Sequence, residues 1–320
     1  MAIEGENKLF TLIRCDGNND WLEQRTHGIG GSDVAAIMGI SKYKSAYTVY
    51  MEKIGKVKPA DLSDKQAVQW GNILEPIVGE EYKRRHPKRE VRRVNAVLRS
   101  IERPWAQASL DYEVKDEELG WGVLEIKTAG LMRAPDWENG IPAYYVTQIA
   151  HYLSITKREF ADVAVLIGGQ DYREYRYMRD IPYEQKLVRA VDDFYHNSIV
   201  GGEVPPITDK ASDAQTVLNA SEPHSDEIEH YTDDLDPFRR YLQAREEKDK
   251  AEQAYKQAGN EIRKIIGDAK GVKTVLGRFT WTRSECKRFD MKRFASEHEQ
   301  LKEQYMTKYT RDGGIRVSEE

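Results

Sequence analysis

SLDYEVKDEELGWGVLEIKT, Ser109 to Thr128, holds two runs of alternating apolar and polar residues joined by a polar turn that ends in glycine. Alternation at period two marks strands with one face against a core, and KDEELG is short enough to fold the runs into an antiparallel hairpin. Successive side chains on a strand leave opposite faces, so Glu125 and Lys127 share one face and Leu124 and Ile126 the other. Asp111 is out of phase with Leu110 and Tyr112, and the hairpin brings it beside Glu125. Two carboxylates and a lysine on a rigid sheet suit Mg²⁺, a hard cation that takes oxygen ligands and leaves positions open for phosphate oxygens. The lysine is placed to orient or deprotonate water, on the expectation that crowding by a cation lowers its pKa. Such a set hydrolyses phosphodiesters. A D…ExK pattern alone is weak evidence, because any half-exposed strand alternates charged and apolar residues.

Outward from the hairpin, the chain reads as helices and strands in an α/β order. Lys65–Arg85 places Trp70, Ile73, Leu74, Ile77, Val78 and Tyr82 at helical spacing, which predicts a long amphipathic helix with its apolar stripe on the core. Arg92–Ile101 and Trp105–Val114 read as strands, Tyr144–Thr156 as a helix, Phe160–Ile167 and Arg173–Met178 as strands, and Tyr183–Ile199 as a helix. Near the start, Asn19–Arg25 reads as a short helix and Thr26–Gly31 as a glycine-rich turn, with Ser32 as N-cap of a helix Asp33–Met38. Exposed N–H groups at such a turn favour an anion. Beyond Pro205-Pro206 an acidic stretch to Asp236 reads as a linker. After it come a long helix marked by Phe238 to Ile266, a hairpin Val272–Arg283 and a charged helix Lys292–Lys308. The predicted division is therefore 1–206, a linker 207–236, and an α-rich extension 237–320.

Composition narrows the classes further. The 320 residues carry 49 Lys and Arg against 54 Asp and Glu, a net of −5 that hides an uneven distribution. Residues 207–236 hold nine acids and one base, whereas 237–320 hold 20 bases and 14 acids. Lys83–Arg103 holds nine bases against Glu90 and Glu102, a stripe suited to a polyanion or simply to solvent. Cys15 and Cys286 are too few for a disulfide framework or an iron–sulfur cluster. No apolar run reaches membrane length and no signal-peptide core opens the chain, so a cytoplasmic protein with no membrane partner is expected. There is no Walker-type loop, no G-x-S-x-G and no zinc-spaced His/Cys pair. GRFTWTR near the C-terminus alternates Arg278 and Arg283 with Phe279 and Trp281, able to meet nucleic acid or merely to pack.

Two helices add polar residues that a packed surface does not require: Glu75 in WGNILEPIVGEEY, and Gln148 with Tyr152, an i, i+4 pair on one helix face in TQIAHYLSIT. WLEQRTHGIGGSD, WGNILEPIVGEEY, SLDYE, LEIKT and TQIAHYLSIT, in that order, resemble the lambda-type phage exonucleases, the YqaJ-type viral recombinases of the PD-(D/E)XK nuclease superfamily. The resemblance covers about residues 20–200, and Leu110 stands where the superfamily name has proline. It implies a restriction-endonuclease-like core, with a central mixed sheet flanked by helices. It also implies that Asp111, Glu125 and the Ile126 carbonyl ligate metal, that Glu75 assists there, that Lys127 serves the attacking water, and that Gln148 and Tyr152 organise the site. Arg25, Ser32 and Ser109 are implied as substrate contacts, the first two holding the 5′-phosphate of a DNA end.

The expected activity is a Mg²⁺-dependent 5′-to-3′ exonuclease on linear duplex DNA that leaves 3′ tails for recombination. Mn²⁺ is expected to substitute, with two ions per site. A homotrimeric ring and a phage single-strand annealing protein are the implied assembly and partner, inside the bacterial host of a phage or prophage. The alternatives are a restriction-type endonuclease, which would cut closed circles, and a DNA-binding module without catalysis, which would lack one of Asp111, Glu125 and Lys127.

Overall fold

The computed structural model describes residues 9–14, 23–221, 235–282 and 287–307, with isolated residues 228, 233, 284, 285, 315 and 317. Cys15, Cys286, Arg283, Lys308 and residues 19–22 of the expected first helix lie outside the described residues; Glu23–Thr26 are helical. The chain divides into two compact units, Met1–Asp226 and Glu227–Glu320.

The first unit is built on a five-stranded mixed sheet in the order β2-β5-β6-β7-β8: Val91–Arg93, Tyr112–Asp116, Gly120–Ala129, Phe160–Ile167 and Asp171–Met178. Only β6 and β7 run parallel. They are joined through a short 3₁₀ turn, Leu131–Trp137, and a helix, Ala143–Thr156, because parallel neighbours need a crossover. Both faces of the sheet are covered, which accounts for the apolar run Val163–Ile167 of β7. Leu124, Ile126, Tyr112 and Phe160 pack with Val78 and Tyr82 of the long helix on one face; Val123, Val163 and Val165 pack with Ile149 and Leu153 of Ala143–Thr156 on the other. In chain order the helices of this unit are α1 (Gly31–Ile37), α2 (Ala46–Lys53), α3 (Gln66–Arg85), α4 (Ala143–Thr156), α5 (Ile181–Asp193) and α6 (Ala211–Ala220). A π-helical segment, Phe194–Val200, continues α5. The expected α/β core with a mixed sheet between helices is what the chain forms.

Five local expectations differ. The strand read as Arg92–Ile101 is two strands, β2 and β3 (Ala96–Ser100), in different sheets. Trp105–Val114 likewise divides into β4 (Gln107–Ser109) and β5, interrupted at Leu110 and Asp111. β3 and β4 join β1 (Phe10–Arg14) in a separate three-stranded sheet. The two segments change sheet side by side, tied by the Val94 N–H donating to the Asp111 carbonyl at 3.1 Å. Alternation persists through such a crossing, so periodicity does not reveal it. The α3 stripe is only half covered: Val78 and Tyr82 are buried, whereas Trp70, Ile73 and Ile77 are more than half exposed, since the sheet packs against one side of the helix only. Ser32 is not the N-cap of α1; Gly30 is, and Asp33 reaches back to accept from the Gly30 N–H at 3.1 Å. Finally, the stretch read as linker contains α6, held to α2 by a buried carboxylate. Asp213 accepts from the Ser45 and Thr48 hydroxyls and from the Thr208 amide and hydroxyl.

The second unit holds α7 (Asp236–Ile266), a hairpin of β9 (Gly271–Thr274) and β10 (Gly277–Thr280), and α8 (Met291–Glu297) and α9 (Glu299–Tyr305). Trp281 lies beneath the Arg263 guanidinium, 6.0 Å from ring centre to charge, so this aromatic packs within its own unit.

Candidate active site

Asp111 stands at the sheet crossing, not within a strand, and that position decides its geometry. The pairing of β5 with β6 ends at Tyr112 and Leu124, so the side of β6 facing β5 is left open from Glu125 onward. Asp111 fills the gap: its Oδ2 accepts from the Ile126 N–H at 2.8 Å. The N–H and carbonyl of a strand residue leave on the same side, so the Ile126 carbonyl is directed to this gap as well.

Glu125 is buried on the α4 side. Its Oε1 accepts from the Lys127 ammonium and from Gln148 Nε2, the latter at 2.8 Å. Gln148 Nε2 also donates to Tyr152 Oη at 2.8 Å, so the i, i+4 pair anticipated on α4 does converge on the sheet carboxylate. Glu125 Oε2 is buried with no hydrogen-bond partner. Burial and the nearby Asp111 both push the Glu125 carboxyl well above the ordinary range, and burial does the same to Asp111. Two buried carboxylates whose pKa values are both raised, one with an unpartnered oxygen, form a site that a cation would stabilise. Among the described residues no three His, Cys, Asp or Glu side chains are gathered into a metal cage. The donor set fits a hard divalent cation held by one or two carboxylates with its remaining positions open, and does not fit zinc.

Glu75 approaches from α3 on the other face. Its Oε1 accepts from Arg93 Nη2 at 2.9 Å; burial and Asp111 raise its pKa, and Arg93 opposes them. Ser109 ends β4, half-buried, two residues before Asp111. Arg25 and Ser32 are brought together: Arg25 Nη2 donates to Ser32 Oγ at 2.7 Å. Lys53 lies between their segments, donating to the Arg25 carbonyl at 2.7 Å and pairing with buried Asp33, the neighbour of Ser32, at 2.9 Å.

A model of the YqaJ-like viral recombinase domain matches residues 20–159. The uncharacterized protein YqaJ of Bacillus subtilis (strain 168) is 31% identical over 257 residues, covering 78% of this chain and 79% of its own length. The chain belongs to the YqaJ family. The matched region is a YqaJ-like viral recombinase domain. Among solved structures, an alkaline exonuclease, LHK-Exo from Laribacter hongkongensis, is similar with a TM-score of 0.46 and 18% identity, over 63% of this chain and 95% of that one. The same exonuclease in complex with dAMP gives the same values.

In this YqaJ-family chain, Lys127 is held among carboxylates, with Glu125 as its ion-pair partner. Glu125 and Asp111 raise its pKa against the effect of burial. Its Nζ lies 4.8 Å from the centre of the Tyr145 ring, a cation–π contact that the sequence reading missed. The signal was present, since Tyr145, Gln148 and Tyr152 fall at i, i+3 and i+7 on one face of α4. The basic stripe is largely neutralised. Arg84 and Arg85 pair with Glu81, Arg89 with Asp162 and Asp116, and Arg92 with Glu90 and Glu113; Arg103 is buried against Ser154.

Proposed function

We propose that this protein is a divalent-metal-dependent exonuclease that digests one strand of linear duplex DNA from its 5′ end and leaves a 3′ tail for strand annealing. The observation that carries the reading is the buried, unpartnered Glu125 Oε2 beside Asp111, on a carboxylate whose other oxygen is held by Lys127 and Gln148. Asp111, Glu125 and the Ile126 carbonyl would hold the cation, with Glu75 as a further carboxylate at its edge. Mg²⁺ is the expected ion, Mn²⁺ a substitute, and two per site the expected number. The chemistry that such a cation supplies is activation of water at neutral pH and neutralisation of charge on the phosphate.

The chain's own residues do the rest. Lys127 holds one oxygen of Glu125 and presents an ammonium toward the reacting phosphate; Gln148 fixes the same carboxylate and aligns Tyr152. Arg25 and Ser32, already bonded to one another, would take a terminal 5′-phosphate through charge-assisted hydrogen bonds, with Ser109 contacting the strand beside the centre. A homotrimeric ring around the duplex and a phage annealing protein fit such an enzyme, acting inside the bacterial host.

The test uses plasmid DNA, linear or covalently closed, with Mg²⁺ and then with chelator. The linear form should disappear and the closed circle persist; chelator and Glu125→Gln should each stop digestion. Cleavage of the closed circle would favour a restriction-type endonuclease. The Arg25→Ala, Ser32→Ala double variant should lose the preference for 5′-phosphorylated over 5′-hydroxyl ends; a preference equal to the parent's would remove these residues from end recognition.

A further inference from the structure

Within the basic stripe, strand register sends Arg93 to a different place from its neighbours. It ends β2 opposite Tyr112, the residue that follows Asp111. Alternation turns Arg92 the other way, onto Trp121, Glu90 and Glu113. Arg93 instead passes over the Tyr112 ring, its charge 6.0 Å from the ring centre, and reaches Glu75 at 2.9 Å. Its side chain is 50% exposed, whereas Lys127 is 16% exposed and already bound to Glu125.

The centre has an electrostatic difficulty that this placement addresses. Asp111, Glu125 and Glu75 together repel the phosphodiester they must act upon, and Lys127 is committed to one of them. A guanidinium carries five N–H donors in a planar fork that matches phosphate, and the Glu75 carboxylate occupies one of Arg93's. An ion pair exposed to this degree is weak enough to exchange partners. We propose that Arg93 is a substrate contact, its guanidinium taking a backbone phosphate of the strand lying over the carboxylate centre and exchanging Glu75 for it. Glu75 is then released toward the centre as DNA arrives. The inference rests on the nuclease reading above and deepens it.

The test measures binding of a fluorescent linear duplex to the full-length protein in EDTA between about 50 and 200 mM salt, alongside turnover with Mg²⁺. Arg93→Gln should flatten the slope of log affinity against log salt by about 0.9, one phosphate contact, equally on unrelated sequences. Turnover should fall with it. Arg93→Lys should restore the slope but not the full turnover, since an ammonium lacks the fork. Arg84→Gln removes one charge of the same stripe, nine residues along α3 from Glu75, and should leave the slope as in the parent. An unchanged slope in Arg93→Gln, or equal losses in Arg93→Gln and Arg84→Gln, would overturn the contact. A parent that binds with the predicted Arg93 dependence yet cleaves nothing would overturn the nuclease reading and leave the contact standing.

Discussion

Gly31 shows how closely the proposed site residues Gln148 and Tyr152 depend on a neighbour that carries no chemistry. A Cβ built on Gly31 would meet the Tyr152 ring at 2.7 Å and Gln148 Cγ at 2.8 Å, closer than real side chains approach. The glycine in GIGGSD is therefore needed for α1 to lie against α4, apart from any role in holding an anion. Gly31→Ala should displace Gln148 and Tyr152 and lower turnover about a hundredfold, the effect of a misplacement of roughly 1 Å at a reacting centre. Stability should fall by about 1–3 kcal/mol, the usual result of overpacking. Steady-state digestion and urea unfolding of the same preparation separate the two effects; turnover within twofold of the parent would mean that the α4 pair does not organise Glu125.

At the scale of elements, α6 belongs with α2 although the surrounding sequence is acidic and polar. Asp213 is buried and accepts from Thr48 at 2.9 Å, from the Thr208 amide at 2.7 Å and from the Thr208 hydroxyl at 2.8 Å, in addition to Ser45. Removing the carboxylate leaves several buried donors without an acceptor. Asp213→Ala should cost about 3 kcal/mol, since neutral donors that bonded a carboxylate are left unsatisfied. It should also make residues 201–221 newly sensitive to limited proteolysis, because the helix loses its attachment. Proteolysis at the parent's rate would show that apolar contacts hold α6 without Asp213. A charged residue embedded in an acidic run has no sequence feature that distinguishes it from its solvated neighbours, so this anchor was read as linker.

For the molecule as a whole, pH dependence of stability offers a test of the core beneath the site. His151 on α4 is fully buried, donates from Nε2 to the Gln107 carbonyl at 3.0 Å, and has its pKa pushed down to about 4 by burial and by nearby Arg103. The unfolded chain therefore takes up a proton on this residue at a higher pH than the folded one. Its contribution is complete above about pH 6.5 and is lost as the pH falls toward the folded value, by about 1.4 kcal/mol per pH unit in that window. His151→Gln, which retains a donor, should be less stable than the parent at pH 7.5, and the gap should narrow at pH 6 and pH 5. Denaturant unfolding at the three values measures it, and a gap independent of pH would mean that folded His151 is not held neutral.

The chain's own order of residues was enough for the hairpin around LEIKT, the phase of Glu125 and Lys127, the helices α3 and α4 and the convergence of Gln148 and Tyr152, because each follows from periods of 2 and 3.6 acting over a few residues. Tertiary structure alone decided the rest. It set the sheet crossing that takes Asp111 off a regular strand and gives its carboxylate the Ile126 N–H, a long-range effect that leaves alternation intact. It turned Arg93, not Arg92, toward Glu75, since register depends on where β2 meets β5 and not on the stripe's composition. It also gave Lys127 two carboxylate neighbours, which raise its pKa against the effect of burial. Local periodicity reports which face a side chain occupies; the charge it meets there is fixed only when distant segments close around it.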